Sequence, residues 1–270
     1  MAEAAASSSA ADRWAEGDAY EPYMGRWSRL IAAEFIKWLS LPPKLAWIDV
    51  GCGTGALSGT IIHNARPRTL LGIDQSKAFV GFARQRLGAD GIEFISGSAE
   101  KIDGNDASFD AAVSGLVLNF VPRPDAAAAE MLRVTRPGGT VAAYVWDYAG
   151  KMELIRYFWD AAAELDSAAA AADEGKRFPL CLPGALKQLF GSAGLRSLEE
   201  KTIEVATVFK NFNDYWSPFL GGQGPAPGYA MSLSEERRNE LRKRLEARLP
   251  IEGDGFIRLI ARAWAVKGIR

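Results

Sequence analysis

The turn Gly51-Cys52-Gly53-Thr54-Gly55 constrains this chain more than any other feature of its sequence. It follows a short apolar run, residues 45–50, which is typical of a strand buried in a parallel sheet. A helix is predicted to follow, from about residue 55 to residue 64. Glycines let the backbone approach a ligand closely, and the first turn of a helix presents unpaired N–H groups. In an open α/β sheet, ligands bind at the carboxyl end of such a strand.

The same alternation of strand and helix continues along the chain. Strands are predicted at residues 69–74, 92–95, 109–114 and 140–146, and helices at residues 77–87 and 125–135. The turn Pro137-Gly138-Gly139 is expected to end the second of these helices. Strands that alternate with helices at this spacing predict an α/β fold with a parallel sheet covered on both faces.

The C-terminal half departs from this alternation. Helices are predicted at residues 152–173 and 183–193, strands at 202–208 and 256–267, and a glycine-rich loop at 221–228. Ser232 with Glu235 predicts a capping box that opens a charged helix with Leu241, Leu245 and Leu249 on one side.

Composition excludes several classes of function. The 270 residues include 32 basic and 33 acidic side chains, so the chain lacks the positive field of a nucleic-acid-binding protein. Two cysteines and one histidine, His63, are too few for a disulfide framework or a zinc site, and we expect no metal. No apolar run approaches the roughly 20 residues of a membrane span. Without a secretory signal, the sequence predicts a cytoplasmic protein with a disordered tail at residues 1–12.

The glycine turn alone leaves the ligand open, because Gly51-x-Gly53-x-x-Ala56 also fits a dinucleotide fingerprint. Asp74, at the end of the second strand, would bind ribose hydroxyls with either ligand. Asp49 stands where a pyridine-nucleotide enzyme usually has an apolar residue. An acid there can hold the amino group of the cofactor or orient the loop. The segment 97–100 follows the third strand, where an adenine would lie.

With these motifs the chain resembles the class I S-adenosylmethionine-dependent methyltransferases, particularly the group similar to ubiquinone/menaquinone-biosynthesis methyltransferases (methyltransferase type 11). The resemblance covers about residues 45–150, with the motifs in family order. They are Ile48-Asp49-Val50-Gly51-Cys52-Gly53-Thr54-Gly55, Gly72-Ile73-Asp74-Gln75-Ser76, Gly97-Ser98-Ala99-Glu100, Ser108-Phe109-Asp110 and Leu132-Arg133-Val134-Thr135-Arg136-Pro137-Gly138-Gly139.

The resemblance implies a Rossmann-like seven-stranded sheet in the order 3-2-1-4-5-7-6, with strand 7 antiparallel and with helical lid elements. We expect a single methyltransferase domain over residues 13–270. Its parts would be an N-terminal lid at 13–43, a cofactor-binding core at 44–150, and lid or substrate insertions at 151–180 and 209–250.

The resemblance also implies a cofactor, S-adenosylmethionine, with S-adenosylhomocysteine as product, and a set of residues that bind it. Gly51 and Gly53 would pack against the methionine and ribose moieties, and Asp74 would bind the ribose hydroxyls. The adenosine would be flanked by Gln75 and Ser76 and its adenine lined by Ser98, Ala99 and Glu100; Ser114, Gly115 and Leu116 would lie beside the methionine part, and Tyr20, Tyr23 and Arg26 would form a lid over the sulfonium and the methionine carboxylate.

The acceptor is expected over strands four and five. Asn119 and Phe120 follow strand four. Trp146 and Tyr148 follow strand five, where they could stack on an aromatic acceptor or simply belong to the core. Asp147 is the best carboxylate candidate for a catalytic base or an orienting group. The alternative for Asp147 is a loop residue that bonds to nearby backbone.

Aromatic residues that include Tyr215 and Trp216 precede the glycine-rich loop. Such an arrangement is typical of a movable cover over a substrate, and equally of a hydrophobic anchor for a long loop. The sequence as a whole predicts methyl transfer by in-line displacement to a small-molecule acceptor, in a monomer or homodimer without nucleic-acid or membrane partners. The alternatives are a nicotinamide-dependent oxidoreductase and a non-catalytic S-adenosylmethionine-binding protein.

Overall fold

A seven-stranded sheet forms the centre of the computed structural model, which describes residues 21–222 and 224–270. Its strands are β1 (Ala46–Val50), β2 (Thr69–Asp74), β3 (Ile92–Ser96), β4 (Phe109–Gly115), β5 (Thr135–Trp146), β6 (Arg196–Phe209) and β7 (Ile257–Ile269). Their order is β3-β2-β1-β4-β5-β7-β6. β7 runs antiparallel to β5 and β6, and the other neighbouring strands are parallel. The predicted strand order and the antiparallel strand 7 are confirmed.

Helices of varied length surround the sheet. They are α1 (Arg26–Leu39), α2 (Ala56–Thr60), α3 (Lys77–Leu87), α4 (Pro124–Val134), α5 (Glu153–Leu165), α6 (Glu174–Arg177), α7 (Ala185–Ser192), α8 (Phe212–Trp216), α9 (Pro225–Ser232) and α10 (Glu235–Arg248). A π-helical turn, Glu21–Gly25, leads into α1, and a second, Ile61–Ala65, continues α2. Short 3₁₀ turns lie at Leu118–Phe120, Ser167–Ala171, Pro179–Cys181 and Ser217–Gly221. Among the described residues, no helix is long and apolar enough to span a membrane.

The predicted helix at residues 152–173 is interrupted, because two aspartates bond to the backbone instead of continuing it. α5 ends at Leu165, and the Asp166 side chain accepts a hydrogen bond from the Ala168 N–H at 2.9 Å. Asp173 accepts in the same way from the Gly175 N–H at 2.9 Å and begins α6. Short polar side chains of this type compete with helical hydrogen bonding.

The predicted capping box at Ser232 is wrong. Ser232 ends α9, and the cap of α10 is Ser234, whose hydroxyl accepts from the Arg237 N–H at 3.3 Å. The loop predicted at residues 221–228 is partly helical, since Pro225 opens α9. A proline fits the first turn of a helix because the missing N–H would have had no partner there.

One large hydrophobic core joins the sheet to the helices and to the insertions of the C-terminal half. A smaller cluster of Cys52, Val80, Ala83 and Phe94 packs α3 against β3 and the glycine turn. The turn after β1 is thereby held between the sheet and α3.

Candidate active site

A cavity of about 210 Å³ lies at the carboxyl ends of four neighbouring strands, β2, β1, β4 and β5. This is where an open α/β sheet is expected to bind a ligand. Its lining residues are Met24, Ser28, Gly51, Cys52, Gly53, Thr54, Ala56, Leu57, Asp74, Gln75, Ser76, Phe79, Gly115, Leu116, Val117, Phe120, Tyr144, Trp146 and Tyr148.

The glycine turn forms one wall, and its glycines are there for two different reasons. Gly51 has φ of +78°, and a Cβ on it would lie 2.4 Å from Cγ1 of Val117, so no side chain fits. Gly53 also has positive φ, +52°, but a Cβ on it would meet nothing within 4 Å. Because Gly53 lines the cavity, this open space is available to a ligand.

Asp74 joins the glycine turn to the loop after β2. Its carboxylate accepts hydrogen bonds from the Gly53 N–H at 3.0 Å and the Ser76 N–H at 2.8 Å. Desolvation by burial raises the pKa of Asp74 and outweighs the opposing effect of these two bonds. The Ser76 hydroxyl caps α3 by accepting from the Phe79 N–H at 3.3 Å. Asp74, Gln75 and Ser76, the residues expected to bind ribose and adenosine, all line the cavity.

Asp49 lies behind the glycine turn and is not among the residues that line the cavity. The side chain is fully buried, and its Oδ2 accepts from the Ser58 hydroxyl at 2.6 Å. Burial raises the pKa of Asp49 to about 7. Of the two roles considered for this acid, orienting the loop fits the geometry, since Ser58 belongs to α2, the helix that follows the turn.

A smaller cavity of about 90 Å³ adjoins the first one and shares Gly51, Asp74, Gln75, Val117 and Phe120 with it. Ser98, Ala99 and Glu100 line this second space, together with Gly97. The Ser98 hydroxyl accepts from the Glu100 N–H at 3.2 Å. The Glu100 carboxylate is paired with Arg123, whose Nε lies 2.9 Å away.

The end of β4 places Gly115 and Leu116 on the wall of the larger cavity, but not Ser114. The Ser114 hydroxyl is buried and donates to the Val50 carbonyl at 2.7 Å, so it ties β4 to β1. The Ser114 hydroxyl is therefore directed at the sheet and not at the cavity where the cofactor was expected. Leu116 has φ of +63° and donates its N–H to the Tyr144 carbonyl at 2.8 Å. A non-glycine residue held in this region is strained, and such strain clusters at functional sites.

The predicted N-terminal lid is only partly at the cavity. Tyr20 lies outside the described residues. Tyr23 is buried edge-on against Phe219 at 5.5 Å and does not line the cavity. The guanidinium of Arg26 pairs with Asp214 at 3.0 Å instead of facing a ligand. Two neighbours that the sequence did not single out, Met24 and Ser28, line the cavity in their place.

The catalytic role expected for Asp147 is not supported. Its side chain is 3% exposed and is absent from the cavity wall. Its oxygens accept from the Gly150 N–H at 3.0 Å, the Lys151 N–H at 2.8 Å and the Arg262 Nε at 2.7 Å. Because all of these bonds fold the loop after β5, Asp147 is the loop-bonding residue that was the alternative.

The substrate residues expected from the sequence divide into two groups. Trp146 and Tyr148 line the cavity, whereas Asn119 does not. Tyr215 and Trp216 are also absent from the wall. Tyr215 is fully buried and donates its hydroxyl to the Leu154 carbonyl at 2.9 Å, and Trp216 stacks on Phe212. For this pair the structure shows the hydrophobic anchor and not a cover over the cavity.

Tyr144 and Phe79 are cavity residues that the sequence reasoning missed, whereas Phe120, named with Asn119 after strand four, lies on the wall. Tyr144 precedes Trp146 by two residues in β5, so alternation along the strand puts both rings on one face. That period of two was the signal available.

Burial raises the pKa of the Cys52 thiol, with the carboxylates of Asp49 and Asp74 adding to the effect, so the thiol is not poised as a nucleophile. No cluster that could hold a metal ion occurs among the described residues.

Part of the chain resembles known proteins. Residues 48–143 match the family model described as a methyltransferase domain. The chain is 35% identical to a malonyl-[acyl-carrier protein] O-methyltransferase of Methylococcus capsulatus over 44% of each chain. It is also 35% identical to a ubiquinone/menaquinone biosynthesis C-methyltransferase of Bartonella bacilliformis, over 41% of this chain and 45% of that one. The chain thus spans less than half the length of these curated relatives.

The fold also recurs among solved structures. A phosphoethanolamine N-methyltransferase 2 of Haemonchus contortus, in complex with S-adenosyl-L-methionine, superposes with a TM-score of 0.58 at 12% identity. The match covers 94% of this chain and 56% of that one. At this identity the likeness shows a shared fold.

Proposed function

We propose that the chain, whose residues 48–143 match a methyltransferase domain, is a class I S-adenosylmethionine-dependent methyltransferase that transfers a methyl group to a small-molecule acceptor. One observation carries the proposal. A single cavity runs from the Gly51–Thr54 turn and Asp74 to the ends of β4 and β5, so a bound cofactor and a second molecule can lie side by side.

The residues present fit S-adenosylmethionine. Gly53 offers backbone next to open volume, where a methionine or ribose moiety would lie. The Asp74 carboxylate is held by two backbone N–H groups, which leaves lone pairs for the two ribose hydroxyls. The adjoining small cavity beside Ala99 suits an adenine. The match of residues 48–143 to a methyltransferase domain agrees with this cofactor.

The cofactor, when bound, supplies a methyl group on a sulfonium. The sulfonium is an effective methyl donor because the neutral thioether that it becomes is a good leaving group. In the transfer, a lone pair of the acceptor forms a bond to the methyl carbon, and the electrons of the carbon–sulfur bond stay on sulfur. The side chains of the cavity would align the two reactants and exclude water, which contributes much of the rate in such reactions. Asp74, which is assigned to the ribose, is the sole carboxylate on the described wall of the larger cavity, so we expect any proton released by the acceptor to pass to solvent.

Absence of a basic surplus, with a formal net charge of -1, supports a small-molecule acceptor over a nucleic acid. Titration calorimetry with S-adenosylhomocysteine and, separately, with NAD and NADP tests the cofactor. We expect binding of S-adenosylhomocysteine alone. Binding of a dinucleotide without S-adenosylhomocysteine would support the oxidoreductase alternative and overturn the proposal.

A further inference from the structure

The larger cavity has two halves, set by the order of the strands beneath it. The cofactor half lies over β1 and β2 and is formed by Gly51–Thr54 and Asp74–Ser76. The acceptor half lies over β4 and β5 and includes Leu116, Phe120, Tyr144, Trp146 and Tyr148. If the proposed function holds, the second half is where the methyl group is received.

Charge is distributed unequally between the halves. Asp74, in the cofactor half, is the one ionisable Asp, Glu, Lys, Arg or His side chain among the described residues of the cavity wall. The acceptor half has none in that part of the chain. No charged side chain among the described residues there could pair with a charged acceptor group, and burial of an unpaired charge costs several kcal/mol.

The charged residues next to the acceptor half in sequence are already paired with one another. Asp147, between Trp146 and Tyr148, bonds Arg262. Arg26, between the lining residues Met24 and Ser28, bonds Asp214. Neither pair belongs to the cavity wall, so neither offers a free charge to an acceptor.

Aromatic rings make up most of the wall of the acceptor half. Tyr144, Trp146 and Tyr148 follow one another at alternate positions and all reach the cavity. Phe120 stands opposite the 151–180 insertion and meets Phe178 edge-on at 4.9 Å; Phe178 in turn lies 5.9 Å from Tyr148. Rings arranged in this way bind flat apolar groups by stacking and edge contacts.

From the charge and the rings we infer that the acceptor is an uncharged molecule with a flat, apolar ring system, held against Tyr144, Trp146 and Tyr148. The methylated atom carries no formal charge in the bound complex and lies at the boundary between the two halves. This inference rests on the proposed function and narrows its substrate class.

Three probes of one shape test the inference: 2-naphthol, 2-naphthoate and 2-naphthylmethylammonium. Each is titrated into the full chain saturated with S-adenosylhomocysteine, and binding is followed by calorimetry. We expect 2-naphthol to bind and each charged probe to bind on the order of 100-fold more weakly, because its charge would be buried without a partner. Equal or tighter binding of either charged probe, or no binding of any probe, would overturn the inference.

Trp146→Leu and Trp146→Phe locate the bound probe. Leucine keeps apolar volume but removes the ring, and we expect 2-naphthol to bind about fivefold more weakly, while phenylalanine retains most of the affinity. Unchanged S-adenosylhomocysteine affinity in both variants shows that they are folded. Equal 2-naphthol affinity in the wild type and Trp146→Leu would contradict the assignment. Failure of the wild type to bind S-adenosylhomocysteine would instead refute the proposed function.

Discussion

The cofactor half and the acceptor half of the cavity are built by different means. The first is made mainly of backbone: a turn with two positive-φ glycines on the wall, tied to Asp74 by the Gly53 N–H. The second is made of large side chains from β5, from the turn after β4 and from the N-terminal segment. A backbone cradle fixes one ligand, whereas a wall of side chains changes with each substitution.

The substitution with the largest expected effect is Asp74→Ala, in the cofactor half. It removes the ribose acceptor and leaves the N–H groups of Gly53 and Ser76 without their partner. Since hydrogen bonds to a charged group contribute about 1.5–3 kcal/mol each, we expect S-adenosylhomocysteine to bind at least about 100-fold more weakly by calorimetry. Asp74→Asn keeps one acceptor oxygen, so its affinity for S-adenosylhomocysteine should lie between those of the wild type and Asp74→Ala. A loss of less than about threefold in Asp74→Ala would contradict the ribose assignment.

The second prediction concerns pH, because two acids are buried outside the cavity wall: Glu174 in the 151–180 insertion and Asp49 behind the glycine turn. Glu174, in the 151–180 insertion, accepts from the Trp159 indole N–H, and burial raises its pKa to about 7. Folding favours its protonated form, so this stabilisation is complete below the ordinary pKa of about 4.5 and is lost as pH rises through 7. Asp49 behaves likewise in the cofactor half, with the same direction and cause.

Glu174→Gln removes the titration and keeps an acceptor for Trp159. We expect it to exceed the wild type in free energy of unfolding by about 2 kcal/mol at pH 8.5, and the gain to shrink towards pH 5. Urea unfolding at both pH values measures this, with Glu236→Gln, on the exposed face of α10, as a control that should change little. Parallel pH profiles for Glu174→Gln and the wild type would show that Glu174 is not the titrating group.

The third prediction concerns a methyl group added to a glycine, which can strain the backbone or occupy space that the ligand needs. Gly53→Ala and Gly255→Ala both place a methyl group at positive φ, +52° and +83°, with nothing within 4 Å. Both should lose about 1 kcal/mol of stability. Only Gly53→Ala should weaken S-adenosylhomocysteine binding, by about tenfold, since its methyl enters the cavity. Equal affinities in the two variants would place the cofactor elsewhere.

The smallest effect is expected at the pair of Arg26 and Asp214, outside the wall. Both side chains are about a quarter exposed, 27% and 28%, so a double-mutant cycle with Arg26→Met and Asp214→Asn should give a coupling of about 0.5–1 kcal/mol. Calorimetry should show S-adenosylhomocysteine affinity within about threefold of the wild type in Arg26→Met. A much larger loss of affinity would support the predicted contact between Arg26 and the methionine carboxylate.

The same contrast explains which parts could be predicted from sequence. The turn at residues 51–55 and Asp74 follow strands directly, so short motifs place them at one edge of the sheet. The strand order came from the family resemblance that these motifs carry. Local pattern was also enough for the bounds of β2 and α3, which agree with the prediction.

The acceptor half could be predicted only in part. Trp146 and Tyr148 were expected there and line the cavity, but three other expected site residues lie outside its wall because of contacts that the local sequence does not show. Arg26 meets a partner 188 residues away, and nothing near either residue indicates the other. Tyr215 looked like part of a cover, but its hydroxyl reaches Leu154 in the core. Asp147 looked catalytic because it follows β5, and the competing N–H groups and Arg262 were visible only in three dimensions.

A crystal structure of the chain with S-adenosylhomocysteine tests the division of the cavity most directly. We predict ribose hydroxyls within hydrogen-bonding distance of the Asp74 carboxylate and the adenine beside Ala99. The sulfur should face the rings of Tyr144 and Trp146 across an open space. A cofactor whose adenine or methionine part fills the space over β4 and β5 would contradict the account, because no room for an acceptor would remain.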